Sequence, residues 1–489
     1  MNRALKRISI AALVMFLALM INLNYVQGFE AASLDNGPSN IRGLEAQFQY
    51  ERGDILTSDG MKIAGTVPSN DIYNYERTYY DPQVYAPVTG YDTIYSQTGV
   101  ESAENGLLSG NSDQLSFRNF IDTVTNKPRK GATVELTINS KIQQAAYAGL
   151  QSVLQGTKNT GAVVAINPKT GAILAMASWP SYNTNLLAVH TTQLNTNDAA
   201  LLAQNPSPLL NYATQAVYPP GSTFKIVTTS SWFTQSATNI PQTPLSSPQP
   251  LKLPNGNFLN NDNNAPCGNG SGQTAAIDAF AQSCNTPFAQ LGVNLGGATL
   301  KSMADRFGFN QDLNIPGVTS AQSNFTAEAD KSLTAFDAIG QHDTTETPLE
   351  EAMVAATIAN NGTLMKPYLI QQVTASDLSI LSQAKPTVLG TPISSAVAAY
   401  ENQMMRAVVT DSNGTGNAPV NAAGAQNLDI AGKTGTAETT SGSVPDSVFT
   451  AFAPADNPTI AVGVIVQGGG YGATTAAPIA IAAIKAALG

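Results

Sequence analysis

The sequence is poor in histidine and cysteine, and each shortage excludes a class of chemistry. Its 489 residues include two histidines, His190 and His342, and two cysteines. The chain has no zinc-type Cys/His spacing, no HExxH motif, no GxGxxG after a strand and no Walker loop. We therefore expect neither a metal ion nor a cofactor. A reactive serine in this chain would have to be activated without the usual imidazole.

Charged residues are also scarce, and the net charge is negative, which disfavours a nucleic-acid partner. Charged residues make up 12% of the chain, and the formal net charge is −10. Binding of a phosphate backbone needs a basic surface, so we expect no nucleic acid. Apolar residues make up 43%, which indicates a globular protein with roughly two or three domains at this length.

The N-terminus has the pattern of a membrane anchor. Arg3, Lys6 and Arg7 precede an apolar stretch from Ile8 to Val26. This length is close to the roughly 20 residues that cross a bilayer as a helix. We predict a cytoplasmic segment at 1–7, a single transmembrane segment at 8–26 and an extracytoplasmic remainder, because basic residues favour the cytoplasmic side. A cleaved signal peptide and a buried soluble helix are the alternatives.

Behind the anchor, the hydrophobic patterning indicates two units. A mixed N-terminal module is predicted over 30–150, and a second domain over 155–489, opening with a hairpin whose strands are joined at 167–171. A block with mostly helical patterns at 224–309 contains a long Pro-, Asn- and Gly-rich loop at 239–272, a type of loop that is often functional. The other predicted elements are a strand at 131–140, helices at 141–154, 274–282, 352–361 and 477–488, and strands at 428–438, 447–453 and 459–466. Strands, a helical block and strands with a closing helix favour a sheet flanked by helices.

The two cysteines, Cys267 and Cys284, lie 17 positions apart. Outside the cytoplasm they could form one disulfide, which over such a loop contributes about 3 kcal/mol. Two free thiols are the alternative. We favour the disulfide.

The stretch YPPGSTFKIV (218–227) places a hydroxyl and an amine one helical turn apart. Tandem prolines delay the start of the helix, so Ser222 falls at or near its first position and Lys225 lies on the same face. The helix N-terminus favours a developing negative oxygen, and a desolvated lysine can act as a general base. Lys225 is expected to be neutral near pH 7 because of a second lysine nearby, Lys433. Alternatively, Ser222 caps a buried helix and Lys225 extends into solvent.

Two further motifs follow along the chain. Ser283-Cys284-Asn285 offers a second hydroxyl and an amide, although a turn or helix cap explains it as well. Lys433-Thr434-Gly435-Thr436 lies in a predicted strand, where glycine marks the close approach of another backbone. A peptide substrate added at the sheet edge is a candidate for that backbone. Each motif alone is weak evidence for a catalytic site.

Together, the order Ser-x-x-Lys, Ser-x-Asn, Lys-Thr-Gly is specific. It is the set found in penicillin-binding proteins and class A β-lactamases. The chain resembles the class B penicillin-binding proteins, which are membrane-anchored peptidoglycan D,D-transpeptidases. The hairpin at 161–185 resembles the opening of their catalytic domain, and 86–110 resembles the N-terminal module of A-type members from actinobacteria. At Thr57-Ser58 the family often has Asp-Arg instead. This departure weakens detailed inferences about the N-terminal module, but not those about the catalytic domain.

The resemblance implies an α+β fold. A β-lactamase-like transpeptidase domain, with an antiparallel sheet flanked by helices plus an all-helical block, follows a smaller mixed module and one anchor. The implied substrate is a stem peptide ending in D-Ala-D-Ala, and β-lactam antibiotics would acylate the same serine. Cell-wall synthesis or division proteins are the implied partners.

The resemblance also implies a role for each motif residue. Ser222 would be the nucleophile, Lys225 its base and Ser283 a proton relay. The oxyanion would lie between the backbone N–H groups of Ser222 and Thr436. The donor peptide and its carboxylate would be bound by Asn285, Thr434, Gly435 and Thr436, with Lys433 supplying positive potential.

Two other functions share these motifs. A D,D-carboxypeptidase or β-lactamase would use the same serine for hydrolysis, and Glu346 and Glu350 are the carboxylates to consider for activating the water. A non-catalytic β-lactam sensor or scaffold would need a relay to the cytoplasm. The short segment before Ile8 offers none.

Overall fold

The computed structural model describes residues 3–30, 47–115, 129–438 and 442–489, together with residues 118, 121, 124 and 125. Residues 1–2 of the predicted cytoplasmic segment and 31–46 of the predicted N-terminal module lie outside the described residues. In the described part of the chain, one helix is long and apolar enough to cross a membrane. It begins at Arg3, and its apolar window, with mean hydropathy 2.0, is exposed throughout. This exposure fits a single-pass membrane anchor, since no described part of the chain covers the helix.

Strands and helices alternate along the described chain. The strands are β1 (Ile55–Leu56), β2 (Lys62–Pro68), β3 (Tyr75–Tyr79), β4 (Thr133–Leu136), β5 (Gly161–Ile166), β6 (Ile173–Trp179), β7 (Pro244–Ser246), β8 (Leu251–Lys252), β9 (Phe258–Leu259), β10 (Gln273–Ala275), β11 (Leu364–Met365), β12 (Ile370–Thr374), β13 (Ile380–Gln383), β14 (Val388–Gly390), β15 (Ala431–Ala437), β16 (Asp446–Ala453) and β17 (Ile460–Val466). The α-helices are α1 (Arg3–Tyr25), α2 (Pro82–Thr89), α3 (Gly99–Ala103), α4 (Asn105–Leu108), α5 (Ser140–Leu154), α6 (Asn185–Ala188), α7 (Gln193–Leu202), α8 (Lys225–Gln235), α9 (Ala276–Ala281), α10 (Thr286–Leu295), α11 (Gly297–Phe307), α12 (Lys331–Asp337), α13 (Pro348–Ala359), α14 (Ser395–Thr410), α15 (Asn417–Ala422) and α16 (Ala476–Leu488).

A five-stranded antiparallel sheet forms the centre of the second domain. Its order is β15-β16-β17-β5-β6, so β15 lies at an edge. Helices α5 and α16 pack together on this sheet, and α13 also packs against β17, β5 and β16. Every residue of β16 and β17 is buried, which explains why these strands read as continuous apolar runs. The predicted α+β fold, with helices flanking an antiparallel sheet, is confirmed.

A second sheet joins the N-terminal module to a distant part of the chain. Its order is β13-β12-β4-β1-β2-β3. Strand β12 pairs antiparallel with β4, more than 200 residues earlier. The segment at 370–383 therefore lies within the predicted catalytic domain in sequence, and in the sheet of the N-terminal module in space.

Local structure differs from the sequence patterns in three places. The strand predicted at 131–140 ends at Leu136, because the Asn139 side chain accepts hydrogen bonds from the first N–H groups of α5. The helix predicted at 274–282 begins at Ala276, since Gln273–Ala275 pairs with β7. The long loop at 239–272 holds the short strands β7 to β9 and a 3₁₀ turn at Asp262–Asn264.

Candidate active site

Ser222 lies in a 3₁₀ turn, Gly221–Phe224, that leads directly into helix α8. The α-helix begins at Lys225, so Ser222 lies in the 3₁₀ turn just before it and not at its first position. The Lys225 side chain is fully buried, with an exposure of 0%. It therefore does not extend into solvent, and the alternative of a simple surface lysine is wrong.

Glycines bring three segments together, backbone against backbone, around this turn. Gly221 has a φ of +57° and donates its N–H to the Gly340 carbonyl at 2.9 Å. A Cβ on Gly221 would lie 2.6 Å from the Thr436 carbonyl oxygen, and one on Gly435 would lie 2.7 Å from the Pro220 carbonyl oxygen. The glycine of Lys-Thr-Gly does mark a close approach, as predicted. The backbone that approaches Gly435 is the nucleophile turn of the same chain, whereas the sequence suggested a peptide substrate.

Lys225 is oriented by two acceptors from the Ser-x-Asn motif. Its Nζ donates to the Ser283 carbonyl at 2.8 Å and to Asn285 Oδ1 at 2.9 Å. Burial lowers the pKa of Lys225 to about 7, and the nearby Asp262 carboxylate opposes the shift. A neutral amine has two N–H bonds and one lone pair. Since both N–H bonds are used, the lone pair of the neutral form is free to accept a proton.

Lys433 forms a second buried amine on the other side of Ser283. Its Nζ donates to Ser283 Oγ at 2.7 Å and to the Thr434 carbonyl at 2.9 Å, and its exposure is 0%. Burial, followed by repulsion from Lys225, lowers its pKa well below the usual value. The sequence pointed to Lys433 as the reason for a neutral Lys225, whereas the leading cause is desolvation; the two amines also repel each other, which lowers the pKa of Lys433.

The Asn-rich loop orients the Ser-x-Asn motif. Asn261 Oδ1 accepts the N–H of Asn285 at 2.7 Å and of Thr286 at 2.9 Å, at the start of α10. Asp262 Oδ1 accepts from Asn285 Nδ2 at 3.1 Å. The sequence did not single out Asn261 or Asp262. The signal was the density of asparagines at 260–264 within a loop already predicted to be functional.

A disulfide joins Cys267 to Cys284, and both cysteines are buried. Cys284 lies between Ser283 and Asn285 in the sequence. The bond therefore ties the second motif to the same loop that orients it.

These residues surround an open cleft of about 700 Å³. Ser222, Asn285 and Thr436 line it, residues 258–264 form one wall, and Gln341 and His342 lie on another side. Gln341 donates to the Thr436 carbonyl at 3.4 Å, and the Thr434 hydroxyl lies 2.6 Å from that of Thr415. The sequence gave no role to Gln341 or Thr415. Since β15 is an edge strand, the cleft leaves room for an extended peptide beside it.

The arrangement brings two serines and two buried lysines together without histidine. Lys225 donates to the backbone carbonyl of Ser283, and Lys433 donates to the hydroxyl of the same serine. Glu346 and Glu350 are buried and do not line this cleft. The chemistry that fits is acyl transfer through a serine ester.

Family models match two parts of the chain. One described as "Penicillin binding protein transpeptidase domain" matches residues 161–485. Another, described as "Penicillin binding protein A dimerisation domain", matches residues 52–134.

Relatives match the whole chain. The peptidoglycan D,D-transpeptidase PbpA of Mycolicibacterium smegmatis is 39% identical, over 100% of this chain and 99% of the relative. The PbpA of Mycobacterium tuberculosis is 37% identical over the same shares. Among solved structures, a ceftriaxone acyl-enzyme complex of penicillin-binding protein A from M. tuberculosis is similar, with a TM-score of 0.85 and 36% identity. The match covers 91% of this chain and 100% of that one.

Proposed function

Since this chain belongs to the penicillin-binding protein transpeptidase family and is a serine-type peptidoglycan D,D-transpeptidase, we propose that Ser222 is its nucleophile and Lys225 its base. The observation that carries this proposal is the environment of Lys225. Its amine is fully buried, both N–H bonds of its neutral form are used, and its pKa is lowered to about 7.

In the first half of the reaction, the Lys225 amine accepts the Ser222 hydroxyl proton. Ser222 Oγ then bonds to the carbonyl carbon between the two terminal D-alanines of a stem peptide. The backbone N–H groups of Ser222 and Thr436 stabilise the oxyanion, and preorganised donors of this kind contribute several kcal/mol. The C–N bond breaks, and Ser283 delivers a proton to the leaving D-Ala nitrogen. The proton that Lys225 took from Ser222 replaces it, while Lys433 holds Ser283 Oγ through its hydrogen bond.

Substrate binding uses the remaining motif residues. Asn285 holds the donor peptide, and the Thr434 hydroxyl binds the terminal carboxylate, assisted by the positive potential of Lys433. The backbone at Gly435 and Thr436 pairs with the extended peptide along the edge of β15. No bulky side chain at Gly435 separates this strand from the nucleophile turn.

In the second half, an amine from a neighbouring stem peptide attacks the acyl carbon. Its N–H proton passes to Lys225 and then to Ser222 Oγ as the ester C–O bond breaks. The product is a peptide cross-link. A β-lactam acylates the same serine, and its ring-opened product stays covalently attached, which blocks the acceptor.

Covalent labelling tests the nucleophile assignment. The full chain in detergent should form a stable adduct with a fluorescent penicillin, and peptide mapping should place it on Ser222. The Ser222→Ala variant should lose the band, whereas Ser230→Ala, on the helix that follows the turn and outside the cleft, should keep it. A band that survives in Ser222→Ala contradicts the assignment.

The location of the protein and its protein partners extend the proposal. One N-terminal apolar helix fits a single-pass anchor, and we propose that the catalytic domain lies outside the cytoplasmic membrane, where peptidoglycan is cross-linked. Proteins of the cell-wall synthesis or division machinery are the proposed partners, with roles in division or cell shape. Cysteine labelling of intact and permeabilised cells at an introduced surface cysteine tests the orientation. Protection in intact cells contradicts it.

A further inference from the structure

Three buried glutamates lie behind the nucleophile turn, and the reaction above does not use them. Glu346 precedes helix α13, and Glu350 and Glu351 lie in its first turn. All three are about 2% exposed, and each has one buried carboxyl oxygen without a hydrogen-bond donor. Three buried carboxylates, all ionised, would cost several kcal/mol each, so this cluster must hold protons.

The cluster contacts the nucleophile turn through Thr223, the residue next to Ser222. Thr223 Oγ1 lies 2.9 Å from Glu351 Oε2 and 2.9 Å from the Pro220 carbonyl oxygen. A hydroxyl has one proton, so it can donate to only one of these acceptors at a time. It donates to Glu351 when that carboxyl is ionised. In either protonation state, Glu351 is hydrogen-bonded to the turn that carries Ser222.

Glu346 and Glu351 form a pair of buried carboxyls that are hydrogen-bonded to each other, and burial raises the pKa of both. The charge of Glu351 raises the pKa of Glu346 further. Hydrogen bonds from Glu346 and Thr223 and the charge of Lys433 oppose the rise at Glu351, so the ionised form is favoured at Glu351 over Glu346.

Glu351 is coupled to the amines of the site through the central sheet. Thr450 on β16 donates to the Glu351 carbonyl at 2.9 Å, and Thr450 is the direct partner of Lys433 on β15. Among the causes that act on Glu351, Lys433 is the cation, and Glu351 in turn favours the protonated form of Lys433. The other charged side chains on elements packed against α13 are Asp446 on β16, Glu401 and Arg406 on α14, and Lys301, Asp305 and Arg306 on α11; β5, β11 and β17 carry none.

We propose that Glu351 is a positioning residue for this transpeptidase: it holds the nucleophile turn through the Thr223 hydroxyl and places a buried negative charge behind Lys433, the amine coupled to Lys225. The proposal rests on the assignment of Ser222 and Lys225 above. Glu346 keeps that charge single by carrying the proton of the pair. Glu350 has no part in it, because its carboxyl faces Gly308 at the end of α11.

The test is the rate constant for acylation by a chromogenic β-lactam, measured from pH 5 to 9 on the full chain in detergent. We call the low-pH part of this profile, where the rate constant falls, the acid limb, and the level part above it the plateau. In Glu351→Gln, the acid limb should move to lower pH by about one unit, because removal of a nearby anion favours the neutral amines. In Thr223→Val, the plateau should fall about tenfold while the limb stays in place, because the turn loses its anchor and the charge remains. Glu350→Gln and Glu346→Gln replace protonated carboxyls and should match the parent in both respects.

Each outcome decides the proposal. If Glu351→Gln is folded and its acid limb does not move, Glu351 does not act through its charge. If Thr223→Val acylates as fast as the parent, the contact between Thr223 and Glu351 does not position the turn. If thermal melting shows that Glu351→Gln does not fold, the Thr223→Val plateau decides alone. Failure of the parent itself to be labelled on Ser222 would refute the proposed function instead, so the two failures are distinguishable.

Discussion

At the residue scale, the main feature of the site is the burial of two lysine side chains away from water. Lys225 and Lys433 are both fully buried, and burial is the leading cause of the lowered pKa of each. An amine in water stays protonated up to a pH near 10 and cannot act as a base at neutral pH. If Lys225 is the base, as we propose, its burial does the work that an imidazole does in other serine enzymes.

The first prediction concerns pH. Because the pKa of Lys225 is about 7, the amine is protonated below pH 7 and cannot accept the Ser222 proton. The acylation rate constant should fall about tenfold per pH unit below that value and level off above it. Stopped-flow acylation with nitrocefin measures the profile. After acylation, the colour should stop at one equivalent, since a transpeptidase does not release the adduct quickly.

A matched variant separates the base from simple charge. Lys225→Arg keeps a cation but stays protonated throughout this range, so it should lose at least about a thousandfold in acylation. Lys301→Arg, at a partly exposed position of helix α11 that does not line the cleft, should acylate as the parent does. A flat profile between pH 5 and 8 in the parent would contradict the role of Lys225 as base.

The catalytic motif residues could be predicted because each motif is local in sequence. Ser222 and Lys225 are three positions apart, and one helical turn brings them together whatever the rest of the chain does. Asp262, Thr415 and Glu351 could not be predicted, because they reach the site only through tertiary contacts. Glu351 is 128 positions from Thr223, and a buried glutamate in a helix has the same local pattern as an exposed one.

At the element scale, the site depends on the close crossing of the nucleophile turn, β15 and the segment that contains Gly340. Gly340 has a φ of +72°, and a Cβ there would overlap the Gly221 carbonyl group. No rotation relieves such an overlap, because both groups are backbone. The separation of the three segments is therefore fixed by glycine rather than by side-chain packing.

The second prediction tests this crossing. Gly340→Ala should destabilise the protein by about 3 kcal/mol or more and lower acylation at least tenfold, because the turn carrying Ser222 must move. Gly424→Ala is the control. Gly424 also has a positive φ, +58°, but nothing lies within 4 Å of its added Cβ. It should lose only about 1 kcal/mol and acylate normally. Equal behaviour of the two variants in thermal melts and labelling would contradict the prediction.

The third prediction concerns the disulfide between the Asn-rich loop and the second motif. Cys267→Ala leaves the Ser283-Cys284-Asn285 sequence intact but removes the bond. Stability should fall by about 3 kcal/mol, and acylation should slow because the segment that orients Lys225 loses a tether. Reductant should lower the melting temperature of the parent to that of the variant and leave the variant unchanged. If reductant does not change the melting temperature of the parent under mildly denaturing conditions, the disulfide does not stabilise the protein as predicted.

At the scale of the whole molecule, the sequence predicted the architecture and missed how its two parts are joined. The strands of the central sheet and the closing helix were predictable because they are long and strongly apolar, or alternate with a clear period. The pairing of β12 with β4 was not, since β12 is a half-exposed strand of five residues with no signal that identifies its partner. Registers between distant strands are set by tertiary packing, which a single sequence does not display.

The fourth prediction follows from that shared sheet. A fragment of residues 155–489, the predicted catalytic domain, would lack β4 and α5. Strand β12 would then lose its partner on one side, and α16 would lose the helix packed against it. We expect this fragment to aggregate, or to unfold at least about 10 °C below a fragment of residues 47–489, because an open strand edge and an uncovered apolar helix face are both exposed.

Both fragments lack the anchor, so the comparison measures the effect of removing residues 47–154, which include β4 and α5. The 47–489 fragment should be soluble without detergent and label with fluorescent penicillin at the rate of the full chain, since the described residues leave the anchor helix exposed along its apolar window. Thermal melting and labelling rates of the two fragments give the measurement. If residues 155–489 alone fold and acylate as well as 47–489, the N-terminal module is an independent attachment. If they do not, the module is a structural part of the enzyme, because it completes a sheet to which the catalytic half contributes two strands.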